Sequence, residues 1–198
     1  MSETTIRVEP LTGDALAMAL PGLAELRITV FRAYPYLYDG DLRYERKYVE
    51  KFSQAEGAII VGAFDGDRLI GAATGAPMVG QLDEWAAPFR ERGYDLASIF
   101  YCGESVLLPG YRGRGIGHAF FDHREARARE TGATHTCFCG VVRPDDHPAK
   151  PADYRPLDGF WRKRGYAPLD GAQATFEWKE VGQRTETPHQ LQFWIREL

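Results

Sequence analysis

Apolar residues change their spacing several times along this chain, and each change marks an element. Thr5 to Glu9 alternates and reads as a short opening strand, followed by Pro10. Leu11 to Ala33 is helical in composition, and Pro21-Gly22 predicts a break into two pieces. Asp41 is a candidate N-cap for a further helix carrying Tyr44, Tyr48 and Phe52 at i, i+4 and i+8. Between these helices lies an aromatic loop, Tyr34-Pro35-Tyr36-Leu37-Tyr38-Asp39-Gly40.

The period then shortens. Gly57 to Phe64 and Arg68 to Ala76 are apolar strands joined by Asp65-Gly66-Asp67, a hairpin signal. Pro77 to Gly93 is irregular or partly helical. Leu96 to Leu108 is a long strand, apolar on both faces, as at the centre of a covered sheet. After a turn at Pro109 to Gly113, a helix is expected from Gly115 to Thr131, with Gly132 as its C-cap. Thr134 to Val142 is the next strand, and a proline-rich loop from Arg143 to Pro156 leads to a short helix, Leu157 to Arg164. Ala174 to Val181 and Gln190 to Arg196 alternate like antiparallel strands. The expected class is α/β (α+β mixed), a mixed sheet with helices on both faces. No repeat or low-complexity linker divides the chain, so one domain over residues 1–198 is expected.

Composition narrows the partners. The 198 residues are 44% hydrophobic and 26% charged, an ordinary globular balance that can bury a core without disulfides. A net charge of −4 argues against a nucleic acid or an anionic membrane as partner. Cys102, Cys137 and Cys139 are odd in number and sit in apolar runs, the pattern of buried reduced thiols. No second ligand pair accompanies Cys137 and Cys139, so no metal is expected. Met1 to Thr5 lacks the basic and apolar regions of a signal peptide, and no apolar run is long enough to span a bilayer. A cytoplasmic location is the expectation.

The most informative stretch is Val106-Leu107-Leu108-Pro109-Gly110-Tyr111-Arg112-Gly113-Arg114-Gly115-Ile116-Gly117. A buried strand enters a glycine-rich turn that opens into a helix. Free amides and the positive helix end then face outward together, which suits a pyrophosphate. Glycines let the main chain approach the anion, and Arg112 and Arg114 add charge. The missing Gly-Lys-Ser/Thr ending argues against a triphosphatase P-loop, and the dinucleotide Gly-x-Gly-x-x-Gly spacing fails at His118.

Arg112-x-x-Gly115-x-Gly117 after a strand and a proline resembles the acyl-CoA signature of the GNAT acetyltransferases. Phe160-Trp161-Arg162-Lys163-Arg164-Gly165-Tyr166 resembles that family's second motif, and the element order fits over most of the chain. The resemblance implies a mostly antiparallel central sheet with a Gly-rich strand-turn-helix cofactor loop. It implies that Gly113, Arg114, Gly115, Ile116, Gly117 and His118, with Arg112, hold the diphosphate of acetyl-CoA. It also implies that the pantetheine arm pairs along Val106, Leu107 and Leu108.

Acyl transfer to an amine needs the neutral amine. For a lysine-like group, neutralisation at pH 7 costs about 4–5 kcal/mol. Glu104 is the candidate base, because a carboxylate inside an apolar strand needs a reason to be there. Strand parity places it with Cys102, Val106 and Leu108, and Ser105 on the opposite face for packing or hydrogen bonding. The competing reading of Glu104 is a carboxylate salt-bridged to an interior arginine, or one facing a solvated cleft without catalysis. The family commonly carries a tyrosine acid where this chain has Trp161, whose indole cannot serve; Tyr154 is the candidate substitute, and an unassisted thiolate departure is the alternative.

Two segments are candidate acceptor walls. The 143–155 loop is long and stiffened by proline, with Asp145 and His147 as candidate contacts. The aromatic loop offers Tyr36 and Tyr38, which with nearby acids suit an amine. The expected function is an acyl-CoA-dependent N-acyltransferase acting on a small amine or a protein amino group. The alternatives are a non-catalytic acyl-CoA-binding or regulatory module and, third, a nucleotide- or phosphosugar-binding protein. The terminal strands could pair with a second copy as a homodimer.

Overall fold

In the computed structural model, which describes residues 6–198, seven strands form one sheet in the order β1-β2-β3-β4-β5-β7-β6. The strands are β1 (Ile6–Pro10), β2 (Ile59–Asp65), β3 (Arg68–Pro77), β4 (Ile99–Leu107), β5 (His135–Val141), β6 (Ala167–Trp178) and β7 (Thr187–Glu197). Every neighbouring pair is antiparallel except β4 with β5. The mixed, mostly antiparallel sheet is as expected; Thr5, the expected start of β1, lies outside the described residues. The helices are α1 (Gly13–Phe31), α2 (Leu42–Ser53), α3 (Asp83–Arg90), α4 (Ile116–Glu130) and α5 (Asp158–Lys163).

Local chemistry sets several boundaries. The Asp41 carboxylate accepts from the Tyr44 amide at 2.9 Å and caps α2. The β2–β3 turn has Gly66 at φ +59°, the first central position of a two-residue hairpin loop, where glycine is unstrained. Helix α1 is continuous, although Pro21 was expected to split it. Proline there gives no N–H to the Ala17 carbonyl. Burial of Leu23, Ala24 and Leu26 against Ile60, Ala72 and Val106 outweighs that loss. The Pro77–Gly93 stretch contains α3, held by Ala86 and Phe89 against Phe193 and Ala172.

The helices divide between the two faces. Apolar residues of α1 and α2 cover Ile60, Ala72 and Val106, and α3 covers Ile99, Tyr101 and Phe193. On the other face α4 packs Ile116 and Phe120 on Val61, Ala63, Ile70 and Ala73. Phe121 of α4 joins Phe100, Cys102, Phe138, Tyr166 and Trp194 there, with Phe160 and Trp161 of α5 against them.

Two irregularities shape the middle of the sheet. The parallel ladder of β4 with β5 covers only Ile99–Tyr101 against His135–Cys137, although both strands run on. Beyond Tyr101 the two strands therefore part and leave a wedge between them. The second irregularity is a bulge, where Ala73 faces Ser105 but Gly75 faces Cys102. The extra β4 residue lies at Gly103–Glu104. A side chain at 103 would press a Cβ to 2.6 Å from Thr74 Oγ1, and that hydroxyl accepts from the Glu104 amide at 3.2 Å.

The bulge corrects one expectation. Strict alternation puts Cys102 and Glu104 on one face, but the extra residue resets the parity. Cys102 points to the α4 side among Phe100 and Phe121, whereas Glu104 points to the α1–α2 side with Val106 and Leu108. Ser105 faces the α4 side, as expected.

Candidate active site

The wedge and the start of α4 bring most of the expected residues together. Leu108 donates its amide to Ile70 at 3.0 Å, and Val106 faces Ala72 in the same register. Hydrogen-bonding direction alternates along an antiparallel strand, so the main-chain groups of Ser105 and Leu107 face the wedge. Val106 itself is a core side chain; Leu107 and Leu108 are half-buried. Of these three positions only Leu107 turns its main-chain groups to the wedge; those of Val106 and Leu108 face β3.

At the end of β4, Pro109–Tyr111 forms a single 3-10 turn and Gly115, at φ +81°, caps α4 in the left-handed region. Gly113 is also left-handed at φ +75°, and a Cβ on either glycine would meet nothing within 4 Å. Among the described residues, the amides from Gly113 to His118 donate to no main-chain or side-chain acceptor. They form an open nest at the positive end of a helix of 15 residues. Arg112 is exposed beside it. Arg114 folds back, donating to the Gly110 carbonyl at 3.1 Å over the Tyr111 ring, and Tyr111 donates to Asp65 at 2.7 Å. His118 is exposed next to Phe160 and to Arg164.

On the α1–α2 side Glu104 has a partner. Its carboxylate is ion-paired with Arg27 of α1, and Tyr48 of α2 donates to its other oxygen at 3.5 Å. Arg27 Nε also meets Glu45 at 2.5 Å, and Tyr38 donates to Glu45 at 2.7 Å. The guanidinium lies over the Tyr48 ring at 4.3 Å. Burial opposes the charge of Arg27, but Glu104 and Glu45 overcome it and raise its pKa. Two carboxylates against one guanidinium leave this buried group with an excess negative charge.

The aromatic loop forms the neighbouring wall. Tyr36 packs against Phe31 at 4.8 Å and Trp178 at 5.9 Å. Burial raises its phenol pKa first, and Cys139, Glu104 and Tyr154 raise it further. The Tyr154 ring stands edge-on to Tyr34 at 4.7 Å, and His147 faces Tyr34 at 5.6 Å. Burial, then Tyr34 and Asp158, raise Tyr154 as well, so it stays protonated at neutral pH. The loop is clamped from below. Arg143 donates to the carbonyls of Pro35 at 2.7 Å and Tyr36 at 3.1 Å, while ion-paired with Glu180.

Two expected contacts stand differently. Asp145 is fully exposed and meets only Lys150, at 3.4 Å, so it does not join the others. Tyr38 is engaged by Glu45 rather than free in the wall. Trp161 packs on Phe138 and Trp194, with its ring 3.1 Å from where a Gly140 Cβ would stand. Arg27, Glu45 and Tyr48 were not foreseen. A charged residue on the helix face that carries Leu23, Ala24 and Leu26 was the available signal for Arg27.

Comparison with known proteins fits this geometry. The sequence model of the Acetyltransferase (GNAT) family matches residues 23–166, well over half of the chain. The chain belongs to the GNAT acetyltransferase family. No curated protein matches it in sequence. It is similar in fold to the ribosomal-protein-alanine N-acetyltransferase of Brucella melitensis, at 14% identity and TM-score 0.63, over 97% of this chain and 99% of that one. It is also similar to yncA of Salmonella typhimurium, solved with its cofactor acetyl-CoA, at 11% identity and TM-score 0.61 over 98% and 94%. A third likeness is an acetyltransferase of Thermus thermophilus, at 14% identity and TM-score 0.56 over the whole of both chains. Among the described residues no helix is long and apolar enough to cross a membrane, and no His, Cys, Asp and Glu group could hold a metal.

Proposed function

We propose that this chain, as one domain, moves an acetyl group from acetyl-CoA to a primary amine by direct transfer. The carrying observation is the run of unused amides from Gly113 to His118, placed at the mouth of a wedge that also holds Glu104. Diphosphate oxygens suit those donors, and Arg112 adds charge. The open main-chain edge of β4 at Ser105 and Leu107 suits the amide groups of a pantetheine arm. The Salmonella protein solved with acetyl-CoA supports the same choice of donor.

The acceptor side follows from charge. An excess of one buried negative charge, with Tyr38 and Tyr48 on it and Tyr36 close by, favours a cationic amine over a carboxylate. Glu104 takes the amine proton, directly or through water, and Arg27 keeps the carboxylate oriented. Tyr154 is protonated and stands at the wall as the candidate acid. Direct transfer is favoured over an acyl-cysteine because burial pushes the Cys139 thiol up to about 12 and raises Cys102 and Cys137 too.

Free thiol release from acetyl-CoA, followed against a panel of amines, tests this reading. A second reading, a non-catalytic acyl-CoA-binding module, is favoured by Trp161 in the tyrosine position and by the ion pair at Glu104. CoA binding without turnover on any amine would select it.

A further inference from the structure

Arg124 of α4 is 1% exposed, and no carboxylate lies within ion-pairing distance of it among the described residues. Burying a cation without a counter-charge is costly, so its position needs an explanation. Both of its terminal nitrogens converge on the β4 bulge. Nη1 donates to the carbonyls of Thr74 at 3.3 Å and Glu104 at 3.1 Å, the two strands' groups that the bulge prevents from pairing. Nη2 donates to Ser105 Oγ at 2.9 Å, and Nε to the Phe120 carbonyl at 3.2 Å. Ser105 is exposed on the α4 side of the wedge. Because its oxygen accepts from a guanidinium, its own O–H is free to donate toward the wedge.

The other charged groups near Arg124 are already matched. Glu125 is held by Arg164 at 2.8 Å and Arg196 at 3.0 Å, and Asp122 by Arg164 at 2.8 Å. Across the sheet, Arg27 is outnumbered by Glu45 and Glu104. Adjacent residues of β4 thus divide the charge: Glu104 faces a buried excess of negative charge, and Ser105 a buried excess of positive charge.

Resting on the reading of the wedge as an acetyl-CoA site, we propose that Ser105, backed by Arg124, is the hydrogen-bond donor to the departing sulfur. The amine nitrogen bonds to the thioester carbon and its proton passes to Glu104. The C–S bond breaks with its electron pair on sulfur, which leaves as a thiolate held by the Ser105 O–H and later takes a proton from water. Ser105 is then a catalytic residue and Arg124 a positioning residue. Together they supply the stabilisation that Trp161 cannot give, and they take the place of Tyr154, whose ring stands against Tyr34.

The test needs no acceptor. Thiolate ultraviolet absorbance of CoA bound to the protein is titrated against pH. The expected thiol pKa is about one unit or more below that of free CoA, the size of shift a nearby opposite charge gives. Ser105→Ala and Arg124→Met return it toward the free value, while Ser105→Thr and Arg124→Lys keep most of the shift. In turnover, Ser105→Ala lowers kcat by about tenfold or more with an unchanged KM for acetyl-CoA. If Arg124→Met does not fold, Ser105→Ala alone decides. Bound CoA titrating like free CoA, or Ser105→Ala leaving both pKa and kcat unchanged, overturns the proposal and spares the acetyl-CoA reading. Failure of CoA to bind overturns both.

Discussion

Arg27 on α1 closes on Glu104 on β4, and Glu45 on α2 meets the same guanidinium at 2.5 Å. Three elements are thereby tied at the floor of the wedge. Arg27→Met leaves two buried carboxylates facing each other without a cation. Breaking a buried pair in this way destabilises by about 3–5 kcal/mol. The urea midpoint should fall accordingly, and Arg27→Lys should recover only part, because an ammonium does not present the planar fork that spans both acids. An unchanged midpoint would mean that the cluster is solvated.

Glu104 is held by that pair but is still the carboxylate beside the wedge. Glu104→Gln keeps the shape and the Tyr48 contact while removing the proton acceptor. Turnover should fall by about 10²–10⁴-fold, the usual contribution of a general base. CoA affinity, measured by calorimetry, should not change. Parallel loss of both would make the residue structural.

Much of this was legible beforehand, and the omissions have physical causes. The open amide nest was readable because glycine and arginine spacing around a strand-to-helix turn is local information. The hairpin at Gly66 and the cap at Asp41 were readable for the same reason. The face of Cys102 was misread because a bulge depends on Thr74 across the sheet, which period-two counting does not contain. Pro21 misled in the opposite direction, since tertiary burial of α1 overrides a local breaker. The partners of Arg27 and Arg124 were not readable because they lie on other elements, up to 77 and 50 positions away.

Gly115 separates backbone strain from ligand contact. At φ +81° an alanine is strained by about 1–2 kcal/mol. Gly132, at φ +82° beyond the far end of the same helix and equally free of neighbours within 4 Å, provides the control. Both Gly→Ala variants should lose similar thermal stability. Only Gly115→Ala should also weaken CoA binding in calorimetry, and equal affinity in the two would remove the nest from the site.

His189 makes the aromatic loop's anchorage sensitive to pH. Its ring stacks on Trp178 at 3.8 Å, and Nδ1 receives Arg143 Nη1 at 3.5 Å, the guanidinium that also holds Pro35 and Tyr36. Burial lowers the imidazole pKa; Arg143 adds to that lowering, against the Trp178 carbonyl and Glu180. The unfolded chain therefore binds a proton at higher pH than the folded one. The stabilisation is complete above the unfolded value of about 6.5 and is lost as pH falls through the lower folded value. Protonating Nδ1 would set a second cation against Arg143 and release the loop from β6 and β7. Wild type should lose more thermal stability between pH 7.5 and 5 than His189→Gln, taken as the difference of two melting curves so that the other four histidines cancel. Identical slopes would show that the ring stays charged, or solvated, in the folded protein.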